Sequence, residues 1–275
     1  MSFRNASLVG LLLLLLAPLS GAEESHSFGV VPQQAVTKLA QEWGPMLAKL
    51  SAASGVSLKF STAPDIPTFE LRARQGEYDF AYMNPYHYVV FHERPGYNAL
   101  VHARDAGLHG IIVTRRDSPF LSLRDLAGQT LAFPSPAAFA ASILTRAELQ
   151  ENGVPVSVRY VGSHDSVYLG VARGLYPAGG GVNRTFKALP PETAAELRVI
   201  WRTQTYTSHP IAVHPRVPAA VAARVKRALE TMGDTEEGRA LLQPLQVEGW
   251  IAARDTEWDS IRKLGLDALE EESGH

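Results

Sequence analysis

Phe28-Gly29-Val30-Val31-Pro32 begins the stretch that decides the fold, which runs on through Val56-Ser57-Leu58-Lys59-Phe60 to Tyr78-Asp79-Phe80-Ala81-Tyr82. The first four residues read as a short buried strand, and Pro32 stops it because proline brings no N–H to a sheet ladder. From there to Leu50, apolar residues return at helical spacing, at Leu39, Trp43, Met46, Leu47 and Leu50. Gly55 ends that helix, and Val56 to Phe60 alternates as a strand does. A second helix spans Thr68 to Gln75, and Gly76 leads into the strand that ends at Tyr82. Strands alternating with helices of this length build βαβ units, so the class is α/β.

The alternation continues toward the C-terminus. Gly110 to Thr114 is rich in β-branched residues and reads as a strand. Ser122 to Gly128 reads as a short capped helix, Gln129 to Phe133 as a strand, and Ala137 to Asn152 as a helix ended by Gly153. Val156 to Val161 and Arg198 to Arg202 read as strands around a helix from Ser166 to Arg173. Ile211 to His214 reads as a returning strand, with helices from Pro218 to Met232 and Glu236 to Leu242 after it. Residues 113–203 are expected to form one lobe, and 23–112 plus 204–275 the other, each a mainly parallel sheet flanked by helices.

The first residues have a composition of their own. Arg4 precedes an apolar run from Leu8 to Leu16, Pro18 breaks the run, and Ser20-Gly21-Ala22 supplies small residues. That order describes a secretory signal peptide over 1–22, with cleavage expected between Ala22 and Glu23. A membrane-crossing helix needs about 20 apolar residues, more than this run offers. The 275 residues contain no cysteine, which removes disulfides, thiolate metal sites, Cys nucleophiles and a lipid anchor on an N-terminal Cys. Net charge is -2, without a basic stripe, which argues against nucleic-acid binding. The acidic end, Glu270 to His275, is expected to be a frayed tail.

Three segments carry candidate chemistry. Tyr82-Met83-Asn84-Pro85-Tyr86 places polar aromatics and an amide where a strand ends and a helix opens, the position at which open α/β sheets bind ligands. Tyr82, Asn84 and Tyr86 are the candidates there, set against ordinary core roles for Tyr78 and Tyr88. Phe133-Pro134-Ser135-Pro136-Ala137-Ala138-Phe139-Ala140 joins a strand to a helix start, whose unpaired N–H groups and dipole attract anions. The same features occur in a helix entrance that holds no ligand. Tyr160-Val161-Gly162-Ser163-His164-Asp165-Ser166 presents Ser, His and Asp consecutively, so their side chains diverge and no catalytic relay forms. Ser163 or Asp165 is expected to cap the helix, leaving His164 as a ligand donor or a structural histidine.

These segments resemble the substrate-binding proteins of phosphate, phosphite and phosphonate ABC importers. The resemblance extends to Phe28-Gly29-Val30-Val31-Pro32, Ser122-Leu123-Arg124-Asp125-Leu126-Ala127-Gly128 and Tyr206-Thr207-Ser208-His209-Pro210-Ile211, and so to nearly the whole chain after residue 22. It implies a two-lobed type II periplasmic-binding-protein fold closing on a small oxyanion held by Tyr, Ser and His groups and by amides of a helix N-terminus. It implies periplasmic location, ABC permease subunits as partners, a monomer, and no cofactor, metal or catalytic residue. Against the family's Ser-Thr-Ser run, the helix start here reads Ala138, Phe139 and Ala140, keeping backbone donors and losing hydroxyls. The family's acidic places for an ammonium correspond to Pro177 and His209, so 2-aminoethylphosphonate is expected to bind poorly. Gly179-Gly180-Gly181-Val182-Asn183-Arg184 either brings backbone close to a ligand with Arg184 forking onto two oxygens, or is a flexible turn with a solvated arginine.

Other functions have less behind them. A sensor partner of a histidine kinase would share this fold. A metal-binding protein would use some of the nine histidines, but His87 and His92 are five apart and fall on different sides of a helix. No nucleophile elbow, phosphate loop or paired carboxylate suggests an enzyme.

Overall fold

The computed structural model describes residues 25–104 and 107–266; the expected signal peptide at 1–22 and the acidic tail lie outside the described residues. Two sheets flanked by helices divide the chain into two lobes. In the first lobe, β1 (Ser25–Val30), β2 (Ser57–Ser61), β3 (Phe80–Tyr82), β4 (Asn98–Ala103), β10 (Pro210–Val213) and β11 (Trp250–Ala252) form a six-stranded sheet in the order β11-β4-β10-β3-β1-β2. In the second, β5 (Gly110–Arg115), β6 (Thr130–Phe133), β7 (Ser157–Tyr160), β8 (Ala178–Val182) and β9 (Leu197–Arg202) form a five-stranded sheet in the order β7-β6-β8-β5-β9.

The sheets are mixed rather than mainly parallel. The chain passes between lobes twice, and the strand that enters after each passage runs against both its neighbours: β5 against β8 and β9, β10 against β3 and β4. β5 lies whole in the second sheet, so the passage falls before Gly110, a few residues ahead of the expected boundary at 112/113. The two passages pair with each other through Leu108 and Tyr206, which exchange N–H···O bonds of 2.9 and 3.0 Å.

Helix α1 (Val36–Ser54) buries the apolar face its spacing announced, Leu39, Trp43, Met46, Leu47 and Leu50. Gly55 ends it in the left-handed conformation (φ 62°) and donates to the Ser51 carbonyl. Trp43 is the centre of the first core, 5.8 Å from the Phe28 ring and 4.7 Å from Tyr82. Asp65 caps α2 (Ile66–Arg74), and Asn84 caps α3 (Pro85–Glu93) directly after β3.

The largest departure from expectation is at Gly179-Gly180-Gly181. These residues are neither a turn nor a ligand cradle but the middle of β8, fully buried between β6 and β5. They are glycines because other parts of the protein lie where side chains would go. A Cβ on Gly180 would sit 2.0 Å from the Ala141 carbonyl oxygen and 2.6 Å from the Phe133 ring, and one on Gly181 would sit 2.2 Å from the Tyr168 hydroxyl. The helix expected over Ala137 to Asn152 begins as a wide π turn (Phe139–Ile143) before tightening into α4 (Leu144–Glu151), and that turn rests on β8. Gly110 of β5 completes the seat, since a Cβ there would meet the Ala140 carbonyl oxygen at 2.1 Å.

Substituting Gly180→Ala therefore forces backbone apart and is expected to destabilise the protein by about 2 kcal/mol or more. Gly44→Ala, within α1 and with nothing within 4 Å of the new Cβ, is expected to stabilise by about 0.5–1 kcal/mol. Urea unfolding midpoints of the two variants, moving in opposite directions, check both expectations.

Candidate functional site

The π turn leaves donors unspent. Ser142 and Ile143 N–H groups bond back to the Ala138 carbonyl, but the N–H groups of Phe139, Ala140 and Ala141 have no acceptor among the described residues. They lie beside a cavity lined by both lobes: Val31, Gln33, Ile66, Asn84 and His209 from the first, Ala138 to Ala141, His164 and Val182 from the second. Its volume is about 10 Å³, room for a single water. Around it the side chains of the two lobes pack against one another, and farther out a wide groove separates the lobes.

Gln33, in the turn after β1, is the hub of this packing. Its Oε1 accepts a short hydrogen bond from an Arg184 Nη, and its Nε2 donates to His209 Nε2 at 3.1 Å and lies 3.5 Å from His164 Nε2. Its carbonyl accepts from the His164 N–H at 2.9 Å. Arg184 is in the first turn of α6 (Asn183–Lys187), directly after β8, and its guanidinium lies 5.6 Å over the Tyr82 ring. Tyr82 stacks on His209 with centroids 5.2 Å apart. Further bonds join the lobes around this hub: Asn84 Nδ2 to the Ala137 carbonyl (3.1 Å), the Ala35 N–H to Asp165 (3.0 Å) and Lys38 to the Ala188 carbonyl (2.6 Å).

Both histidines are neutral. Burial, reinforced by the Arg184 charge, pushes His164 down to about 3. The same two causes, in the same order, hold His209 well below the usual imidazole range. Because Gln33 donates to His209 Nε2, that ring carries its proton on Nδ1. The site therefore combines one permanent cation, two neutral rings and three free amides.

Of the residues singled out from sequence, Asn84, Ala138, Phe139, Ala140, His164 and His209 line the cavity. Tyr82 and Arg184 stand at its mouth, in a wide groove between the lobes that His209 also borders. Tyr86 turns away and donates to the Leu266 carbonyl at 3.2 Å. Ser163 caps α5 (His164–Ala172), accepting from the Ser166 N–H at 3.1 Å. Ser135 is buried in the turn before the helix, and its hydroxyl has no partner among the described residues. Pro177 lines neither the cavity nor the groove. His87 and His92 serve different partners, Glu70 at 2.8 Å and the Tyr97 carbonyl at 2.8 Å. Sequence reasoning missed Gln33. A glutamine after a Pro-ended strand carries no pattern, and its partners lie 131 to 176 residues away.

Two α/β lobes, joined by two passages and closing over a donor-rich cavity, define a two-lobed solute-binding protein. The family described as the periplasmic substrate-binding protein of phosphonate ABC transporters matches residues 28–258, and the chain belongs to it. It is a family of transport proteins, not of enzymes. The phosphate-import protein PhnD of Mycolicibacterium smegmatis is 21% identical over 89% of this chain and 86% of its own length. The binding protein of an ABC phosphonate transporter from Pseudomonas aeruginosa superposes with a TM-score of 0.82 at 20% identity, covering 90% of this chain and 87% of that one. PhnD1 from Prochlorococcus marinus in complex with methylphosphonate superposes at 0.80 with 16% identity, covering 88% and 97%.

The neutral histidines give the fold a pH dependence. Unfolded, each takes up a proton near its ordinary value of 6.5; folded, His164 does not until about 3. The contribution of His164 is therefore whole above about pH 6.5 and is lost as acid is added through the interval down to about 3. The loss per buried histidine is at most about 1.4 kcal/mol per pH unit. Melting temperatures from pH 7 to 4 should show a steeper fall for the native chain than for His164→Gln.

Proposed function

We propose that the solute this chain binds for its importer is a small oxyanion of the phosphate, phosphite or phosphonate type, captured between the lobes outside the cytoplasmic membrane. The three free amides of Phe139, Ala140 and Ala141 support this reading above all else. Amides at a helix start that no protein acceptor uses, set in a buried cavity, suit an anion. His164 and His209, held neutral by burial, can offer ring donors without adding charge. Arg184 is the cation within reach, and at present its hydrogen bond goes to the Gln33 amide oxygen. That oxygen stands in for an oxygen of the solute. Binding exchanges one acceptor for a better one, charged instead of neutral, and requires the lobes to part first because the cavity has no spare volume. Both walls come from one chain, so a monomer suffices. Residues 1–22 act as the export signal, and the permease subunits receive the solute.

Methylphosphonate, which the Prochlorococcus protein holds, and phosphate, which the mycobacterial relative's name specifies, head the series of solutes to test. A thermal-shift measurement on residues 23–275 would compare them with phosphite, arsenite, sulfate and divalent metals. A ligand at 100 times its dissociation constant adds about 2.7 kcal/mol to the folded state, enough to move the midpoint visibly. We expect a shift with at least one phosphorus oxyanion and none with metals. Arg184→Ala should lose it, and Arg224→Ala should keep it, since Arg224 is on the helix Ala219–Met232 and donates to the Gly55 carbonyl at 3.2 Å, away from the cavity and the groove. Silence from every oxyanion would overturn the proposal.

A further inference from the structure

The cavity and the groove meet at His209 and Leu108, which line both, and they differ in charge. The cavity offers amides and neutral rings and has no charged side chain in its lining. Arg184 lines the groove and turns one arm inward to Gln33, while its Nε is buried with no partner among the described residues. A buried guanidinium N–H left unpaired is costly unless something outside the protein accepts from it. Lys187, one turn along α6, lines the same groove, as do Arg104 and Arg202, and no ion pair ties any of the four to a carboxylate among the described residues. Glu42 is near enough to feel the Arg184 charge but pairs with Lys38 at 4.0 Å. The carboxylates of the groove, Asp234, Glu236 and Glu248, belong to a different segment of its wall, which also carries Arg239.

There are thus two anion-seeking positions in series: inner amides at a cavity that the lobes must part to fill, and an outer guanidinium whose Nε has no partner among the described residues. Resting on the oxyanion reading above, we propose that the solute is a phosphonocarboxylate. Its phosphonate head takes the amides of Phe139 to Ala141, and its carboxylate takes Arg184 with Lys187 beside it. The planar fork of arginine matches a carboxylate in two parallel hydrogen bonds, which a methyl group cannot use and an ammonium would oppose.

Isothermal titration of residues 23–275 with methylphosphonate, phosphonoacetate and 2-aminoethylphosphonate tests this. Phosphonoacetate should bind at least about tenfold more tightly than methylphosphonate, a difference of about 1.4 kcal/mol, and 2-aminoethylphosphonate more weakly than either. Arg184→Glu should reverse the order of phosphonoacetate and 2-aminoethylphosphonate. Lys187→Ala should narrow the phosphonoacetate-to-methylphosphonate ratio, a readout that a general loss of folding would leave in place because it moves both ligands together. Methylphosphonate binding as tightly as phosphonoacetate would overturn this inference and leave oxyanion capture standing. Failure of both to bind, with phosphate and phosphite silent too, would overturn both.

Discussion

The architecture depends on the contact between the π turn at Phe139–Ile143 and the glycines beneath it. Carbonyl oxygens of Ala140 and Ala141 sit where Cβ atoms of Gly110 and Gly180 would be, so the turn lies on bare sheet backbone. That seat does two things at once. It holds in place a wide first turn whose amides at Phe139, Ala140 and Ala141 have no acceptor among the described residues, and it sets that turn against β8, whose next element is α6 with Arg184. The amides and the guanidinium are thus carried by one rigid unit. Side chains at these glycines would push the two anion-seeking groups apart, and no rearrangement of loops could restore them, because the obstacle is backbone on both sides.

Closure adds the other half of the site. From the first lobe come Gln33, Tyr82 and His209, and from the second His164 and Arg184, so the donors converge only when the lobes meet. Burial is what keeps this crowd of nitrogen atoms tolerable. Two imidazoles and a guanidinium in close contact would repel if all were charged, and desolvation removes the charge from the two that can lose it. What remains is a single cation whose preferred partner is an anion and whose partner in this structure is a neutral amide. A chain so arranged holds itself closed with a weaker version of the interaction its solute supplies, and that difference is what a ligand has available to drive exchange.

The alternation of strands and helices was legible because period and punctuation agree: the α1 stripe, the Gly55 stop and the Ser163 cap are local facts that tertiary packing did not overrule. β8 was not legible. Ala-Gly-Gly-Gly-Val lacks the branched residues and the alternation that mark a strand, since a strand pressed between other backbone cannot carry side chains. The site divides in the same way. His164 and the helix start were visible through their place after a strand, and Arg184 through its charge. Gln33 acquires meaning only from partners more than a hundred residues distant, and Tyr86 looked functional because an aromatic beside a capped helix start can point either way.

The presence of Ala138, Phe139 and Ala140 at the helix start is explained by the same packing. Phe139 is fully buried and meets Tyr206 edge to face at 5.3 Å, which pins the π turn to the second passage between the lobes. The small neighbours on each side let the turn lie flat over the glycines. Hydroxyl donors are not absent from the surroundings: Ser135 and Ser142, before and after the turn, have buried hydroxyls with no partner among the described residues. With apolar side chains at 138–140, an anion at this helix start would rely on backbone amides and on Arg184. Backbone amides are held by the fold and cost little to order on binding, whereas a hydroxyl rotor must be fixed each time. On the oxyanion reading, this makes a backbone-built inner site with one charge at its mouth, and specificity would rest on what the solute presents to that charge.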